Sequence, residues 1–278
     1  MNFLVFTFLV GMGGVAAGFL GAMTGLGGGI VIVPFLALGL GVDLRYAIGA
    51  SLVTIIATSS GAAAAYVKDG YTNFRIGMFL EVATTVGAVF GAFLAVLVST
   101  SAIAVLFGAV LLYSAYLSNR PRPARPEASA PDPWAARLKM DSSFPTAEGP
   151  RSYRVCNVPG GFLLMFVAGT LSGLLGIGSG AVKVLAMDQV MRIPFKVSTT
   201  TSTFMIGVTA AASAGVYLSR GYIDPVLAMP VVLGVLSGSM LGAKVLARTE
   251  PRVLRVVFSL VILALGAQLI YNGLTGRI

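Results

Sequence analysis

The stretch GFLGAMTGLGGGIVIVPFL, residues 18–36, decides the fold. Two apolar pieces flank the cluster Gly25 to Gly29, where glycines allow a sharp chain reversal and close backbone approach but weaken a continuous helix. SGLLGIGSG at residues 172–180 repeats the feature, so that Gly25 falls on Gly176 at a displacement of 151 residues. The displacement then holds without a gap. It pairs Gly18 with Gly169, Ser51 with Ser202, Thr58 with Thr209, Tyr66 with Tyr217, Gly87 with Gly238 and Phe107 with Phe258. A chance match of glycine-rich segments does not keep one register so long, and internal repeats are a common way to build transporter folds.

Composition sets the medium. Of 278 residues 56% are hydrophobic and only 10% charged, with mean hydropathy +0.91, against about 25% charged in a soluble domain. Runs such as Phe3 to Met23, Ile76 to Val98 and Val253 to Ile270 approach the roughly 20 residues that carry a helix across a hydrocarbon core. The net charge of +9 comes from basic residues between apolar segments, the pattern of cytoplasmic loops rather than of a nucleic-acid surface. The first twenty residues lack a basic n-region, so the N-terminal helix is expected to be retained. Histidine is absent and Cys156 is the only cysteine. Zinc, haem and iron–sulfur sites therefore have almost no ligands, and neither a metal nor a cofactor is expected.

The chain divides into a first transmembrane repeat over 1–118, a cytoplasmic Pro-rich linker over 119–159 and a second repeat over 160–278. The linker contains PRPARPEASAPDP and is expected to be mobile. A short amphipathic turn at Trp134 to Met140 on the headgroup surface is the less favoured reading. Each half opens with two apolar pieces around its glycines, Phe3 to Met23 with Ile30 to Leu40, and Gly161 to Leu175 with Ala181 to Met191. Longer helices follow near Arg45 to Val67, Phe74 to Val98 and Ser101 to Leu117, then near Lys196 to Leu218, Pro225 to Ala247 and Pro251 to Tyr271.

Loop charge chooses between a broken unit that crosses the membrane once and one that turns back at the glycines. Turning back puts Lys68, Arg75, the linker, Arg192, Lys196, Lys244, Arg248, Arg252 and Arg255 on one side, leaving Arg45, Arg220 and Arg277 on the other. A single crossing shares the basic residues far more evenly. The expected fold is thus an all-α integral membrane protein of two inverted-topology repeats, each a re-entrant-like, Gly-broken pair of short helices plus three transmembrane helices.

Irregular backbone at membrane depth must be sheltered by protein or face a watery cavity. The helices that start near Gly28 and Ser179 direct unpaired N–H groups toward the breaks, which favours an anion. The backbone of Gly27, Gly28, Gly29, Gly178, Ser179 and Gly180 is therefore a candidate binding surface for a small anionic solute, although glycines also let helices pack closely. Among the hydroxyls that follow, Ser51, Thr54, Ser202 and Thr203 are the candidates to donate to an oxyanion, and interhelical bonding or capping accounts for the others. Two ionisable residues have apolar repeat partners: Lys183 matches Ile32, and Glu81 matches Val232. Lys183 is the candidate countercharge for the anion, with snorkelling to the interface as the alternative. Glu81 is the proton-coupling candidate, with an interfacial pairing to Arg75 or Lys68 equally open. Asp188 and Arg192 are read as structural.

Through residues 18–36, their partner 172–180 and the duplicated arrangement, the sequence resembles the sulfite exporter (TauE/SafE) family of permeases. The resemblance implies transport, commonly export, of small sulfur-containing oxyanions or organosulfonates by an ion-coupled or gradient-driven carrier in a bacterial-type inner membrane. Leu185 stands where the first half has Pro34, and Ser179 where it has Gly28, so the two breaks are not equivalent. Outside that implication three other classes stay open: a carrier for carboxylates or another solute, a channel, and a non-transporting scaffold subunit. An enzyme is not expected, since no nucleophile–base pair or metal constellation occurs among the intramembrane residues.

Overall fold

The computed structural model describes residues 3–24, 28–68, 71–119, 132–146, 149–246 and 251–276. Helix α1 (Phe3–Thr24) leads to the short α2 (Gly29–Pro34), a π-helical turn at Phe35–Gly39, and then α3 (Leu44–Lys68), α4 (Phe74–Leu97) and α5 (Thr100–Asn119). After α6 (Pro133–Arg137) and an antiparallel hairpin of β1 (Ser142–Thr146) and β2 (Gly149–Tyr153), the order recurs. It runs α7 (Val158–Leu175), α8 (Gly180–Leu185), a π-helical turn at Ala186–Val190, α9 (Phe195–Ser219), α10 (Pro225–Leu246) and α11 (Pro251–Leu274). Each start from α2 to α5 reappears 151 residues later, as Gly29 does at Gly180 and Leu44 at Phe195. Local chemistry follows the same spacing. The Asn73 side chain accepts from the Ile76 N–H at 3.1 Å to open α4, and Asp224, its counterpart, accepts from the Val226 N–H at 2.8 Å to open α10.

Helix α4 shows which solvent these elements meet. Ile76, Leu80, Ala83, Thr84, Gly87, Ala88 and Gly91 face inward, while Met78, Val82, Val86, Phe90, Phe93 and Leu97 form an exposed apolar stripe. An apolar face of that length is untenable in water and suits lipid. Among the described residues α4, α7 and α9 are each long and apolar enough to cross a membrane.

In lipid, helices gain nothing by hiding apolar surface from one another, so close packing of small residues holds them together. Counterpart helices swap partners: α7 lies along α4, and α1 lies along α10. A Cβ on Gly87 or Gly91 would run into the backbone of Phe166 or Thr170, and one on Gly169 or Gly173 into that of Thr84 or Ala88. The α4–α7 contact is therefore backbone to backbone. Helices α3 and α9 cross antiparallel, with Gly49 near the start of α3 against Tyr222 just past the end of α9, and Ser59 further along α3 against Gly207 in the middle of α9. Helices α5 and α11 are also antiparallel, bringing Gly108 to Ile270 and Val105 to Gly273.

Loop contacts define two ends of the bundle. At one, the Asn73 N–H donates to Thr201 Oγ1, the Thr200 hydroxyl donates to the Tyr71 carbonyl, and the Cys156 N–H donates to the Met191 carbonyl. At the other, the Arg45 guanidinium donates to the Val98 carbonyl at 3.3 Å and lies 5.7 Å from the Tyr222 ring centre.

Residues 132–146 and 149–157 depart from the mobile linker expected of their composition. Asp132 caps α6 through Oδ1, and its Oδ2 accepts from the Val158 N–H at 2.7 Å, tying the segment to the start of α7. Asp141 accepts from the Val155 N–H at 2.8 Å. Ala135, Met140, Val155 and Val158 are buried in one cluster with Ile76, Leu80, Met187 and Met191. A handful of apolar residues suffices because the bundle supplies the rest of the core. The Pro-rich run at 120–131 lies outside the described residues.

Candidate functional site

The second break has a defined geometry. Helix α7 stops at Leu175 because Gly176, with φ 64°, takes a left-handed conformation, and Gly178 and Ser179 follow at φ 69° and 41°. The orphan carbonyls at the end of α7 find donors nearby: the Tyr217 hydroxyl reaches Gly173 at 3.1 Å and Leu174 at 3.4 Å. Ser51 of α3 donates to the Gly176 carbonyl at 2.7 Å, and the Ser179 hydroxyl donates to the Ala168 carbonyl. Of the first break, Gly27 lies outside the described residues, while Gly28 and Gly29 are buried at the start of α2.

Both breaks meet the α3–α9 crossing. A Cβ on Gly29 would lie 2.6 Å from Ile55 Cδ1 and 2.7 Å from Ser51 Oγ; one on Gly180 would lie 2.6 Å from Ile206 Cδ1 and 3.8 Å from Ser202 Oγ. Gly178 sits between Ile206 and Ile55, themselves counterparts at the same displacement. Gly28, Gly29, Gly178, Ser179, Gly180, Ser51 and Ser202 thus belong to one neighbourhood. Ser202 donates there to the Gly180 carbonyl at 3.3 Å, while Thr54 and Thr203 donate to carbonyls of their own helices, Ala50 and Thr199, each at 2.9 Å.

Lys183 and Glu81 come together. Lys183, on α8, is fully buried and Glu81, on α4, is 6% exposed; Nζ lies 4.0 Å from Oε2. Thr209 of α9 bridges them, accepting from the Lys183 ammonium and donating to Glu81 Oε1 at 2.7 Å. Thr85 also donates to Oε1 at 3.1 Å, whereas Oε2 has no hydrogen-bond partner among the described residues. Arg75 turns away from this group and donates to the Lys139 carbonyl at 3.1 Å. The Lys68 side chain, the other interfacial partner open for Glu81, lies outside the described residues. Thr209 went unnoticed as a site residue in the sequence, where its match with Thr58 reads as ordinary repeat register. Its position one helix away from a buried lysine was the missing signal.

The described residues hold no cluster of His, Cys, Asp and Glu suited to a metal ion. The arrangement places a buried cation and its compensating carboxylate beside the second chain break.

The family model for Sulfite exporter TauE/SafE matches residues 10–269. A probable membrane transporter protein of Bacillus subtilis (strain 168), YunE, is 30% identical over 281 residues, covering 99% of each chain. A probable membrane transporter protein of Xylella fastidiosa (strain 9a5c) is 25% identical, covering 95% of this chain and 94% of its own. MJ0441 of Methanocaldococcus jannaschii, described in the same words, is 23% identical, covering 95% and 96%. No solved structure matches.

Proposed function

The chain belongs to the sulfite exporter TauE/SafE family and is a multi-pass membrane transporter; from that premise we propose that it carries a small sulfur-containing anion, such as sulfite or an organosulfonate, outward by alternating access. The observation that carries this reading is the fully buried Lys183 beside the second break. A buried ammonium is costly unless something negative compensates it, and marks a solute or ion pathway by default. The anion would bind near the midplane, between the backbone of Gly27, Gly28 and Gly29 and that of Gly178, Ser179 and Gly180. Ser51, Thr54, Ser202 and Thr203 would turn their hydroxyls from backbone carbonyls to its oxygens, a rotation that needs no backbone movement.

Two inverted repeats in a bacterial-type inner membrane complete the proposal. Antiparallel crossing of α3 with α9 and of α5 with α11 supports the inversion, because each pair joins counterparts. Re-entrant breaks are supported by the loop contacts: a single crossing would separate residues 71–73 from the start of α9, and Arg45 from Tyr222, across the membrane. The linker end carries Arg75, Arg137, Lys139, Arg151, Arg154, Arg192 and Lys196, which favours its placement in the cytoplasm. The far end brings Arg45 and Arg220 together with Tyr217 and Tyr222.

The test is thermal stability of the detergent-purified protein against sulfite, sulfate, thiosulfate, taurine, sulfoacetate and simple carboxylates, since a ligand of the folded state raises its apparent stability. A saturable shift confined to sulfur oxyanions and lost with Lys183→Ala is expected. A shift with carboxylates alone moves the assignment to a carboxylate carrier, and co-purification of a partner without any shift moves it to a scaffold.

A further inference from the structure

We infer that Glu81, Thr209 and Lys183 tie each monovalent anion to one proton, so that the carrier co-transports the two in electroneutral fashion; this rests on the carrier reading above and deepens it.

The inference follows from counting charge in a dry place. With the site empty, Lys183 is balanced by Glu81 at 4.0 Å and both are buried. A bound anion that takes the ammonium leaves Glu81 as an uncompensated negative charge, which the interior penalises heavily. A proton from water arriving on Oε2 removes the penalty: the carboxyl becomes neutral, and the Lys183 ammonium keeps its own three protons while its hydrogen bond passes from Thr209 to the anion. Release reverses both movements. Oε2 is the acceptor because Oε1 already receives Thr209 and Thr85, and Oε2 receives no donor. Two neutral states result, empty with Glu81 ionised and loaded with Glu81 protonated. The half-loaded states carry a net charge through the bilayer and are excluded from the crossing.

Among the described residues no other titratable group takes over either role. Helix α7, packed along α4, has none in its sequence; α9 has Lys196 and Tyr217 only near its ends, with Lys196 3.8 Å over the Tyr71 ring and Tyr217 on the carbonyls of Gly173 and Leu174. Past Lys183 the next charge is Asp188, five residues on in the π-helical turn, and in the linker Asp132 and Asp141 accept from backbone N–H groups. Ile32 and Val232 stand at the counterpart positions, so the described residues contain one such device and the stoichiometry inferred is one proton per anion. Thr209 is a positioning residue, holding the ammonium and the carboxylate in register. Outward flux then runs down the anion's own gradient, and an inward proton gradient opposes it.

The experiment uses the full chain in liposomes loaded with a pH-sensitive dye, with methanesulfonate as a permanently monovalent probe. An inward methanesulfonate gradient should acidify the lumen, with one proton entering per anion, at a rate that does not change when the membrane potential is clamped to different values. In Glu81→Gln the proton count per anion should fall to zero, whatever flux remains, and that flux should follow the potential. Wild-type anion flux without protons, or acidification that survives Glu81→Gln, overturns the coupling. Absence of both methanesulfonate and sulfite counterflow overturns the carrier reading instead. The pair is then judged without a solute by infrared difference spectroscopy: Lys183→Met should give Glu81 a protonated carboxyl stretch that wild type and the double variant with Glu81→Gln lack, and its absence overturns the inference.

Discussion

The Ser51 hydroxyl donates to the Gly176 carbonyl at 2.7 Å, so a helix of the first half closes the broken end of a helix in the second. Both groups are buried. Ser51→Ala leaves that carbonyl without its donor, and a buried unsatisfied acceptor costs about 1–3 kcal/mol. Thermal unfolding in detergent should show the loss, and Ser202→Ala, which removes a longer 3.3 Å bond, should lose less. Equal stability of Ser51→Ala and wild type would refute the contact.

Breaking the buried ion pair from either side should be worse than removing it altogether. Glu81→Gln alone should destabilise by about 3–5 kcal/mol, because the Lys183 ammonium stays behind in the interior, whereas Lys183→Met, which leaves Glu81 able to take up a proton, should cost less. The double variant should recover most of that. Simple addition of the two losses in a double-mutant cycle would mean that the groups do not interact.

Helix contact through bare backbone makes a second stability forecast. A Cβ on Gly173 would run into the Ala88 carbonyl, so Gly173→Ala should cost about 1–3 kcal/mol as overpacking. Gly215, on α9, has open space where its Cβ would go, and Gly215→Ala should gain about 0.5–1 kcal/mol from helix propensity. Detergent melts of the two variants, side by side, provide the comparison.

Sidedness is open to chemical labelling in a Cys156→Ser background. Single cysteines placed by Arg154→Cys and Arg192→Cys should react with an impermeant reagent from the same face of the membrane, and Asp224→Cys from the opposite one. Opposite labelling of positions 154 and 192 would restore the single-crossing arrangement.

The docked hairpin should respond to alkaline pH. Burial pushes the Tyr153 phenol above its ordinary value, while hydrogen bonds with Asn73 and Ser142 pull it back. A raised value means that the folded form holds its proton longer than the unfolded one. The contribution is therefore intact below the unfolded value and is lost as pH rises through the folded one. Trp134 is the only tryptophan, and its fluorescence should report a basic transition that disappears in Tyr153→Phe.

What was legible in the sequence were features that repeat or interrupt repetition. The long helices announce themselves as apolar runs, and α3, α4, α9 and α10 lie within a few residues of the expected spans. Lys183 and Glu81 stood out because Ile32 and Val232 occupy the counterpart positions. That the two touch was not legible: 102 residues separate them, and their meeting depends on how α4 and α8 pack around α9. The hairpin was hidden for a different reason. Averaged composition flagged prolines and charges, whereas docking rests on Met140, Val155 and Val158, too few to move an average.

Those same residues bear on the speed of the cycle. Any movement that parts the start of α4 from the loop after residue 190 must also lift Met140 and Val155 from beside Ile76, Leu80 and Met191. Each large side chain re-exposed costs about 1.5–3 kcal/mol. Under alternating access, that contact would add to the barrier to opening at the end that holds the hairpin.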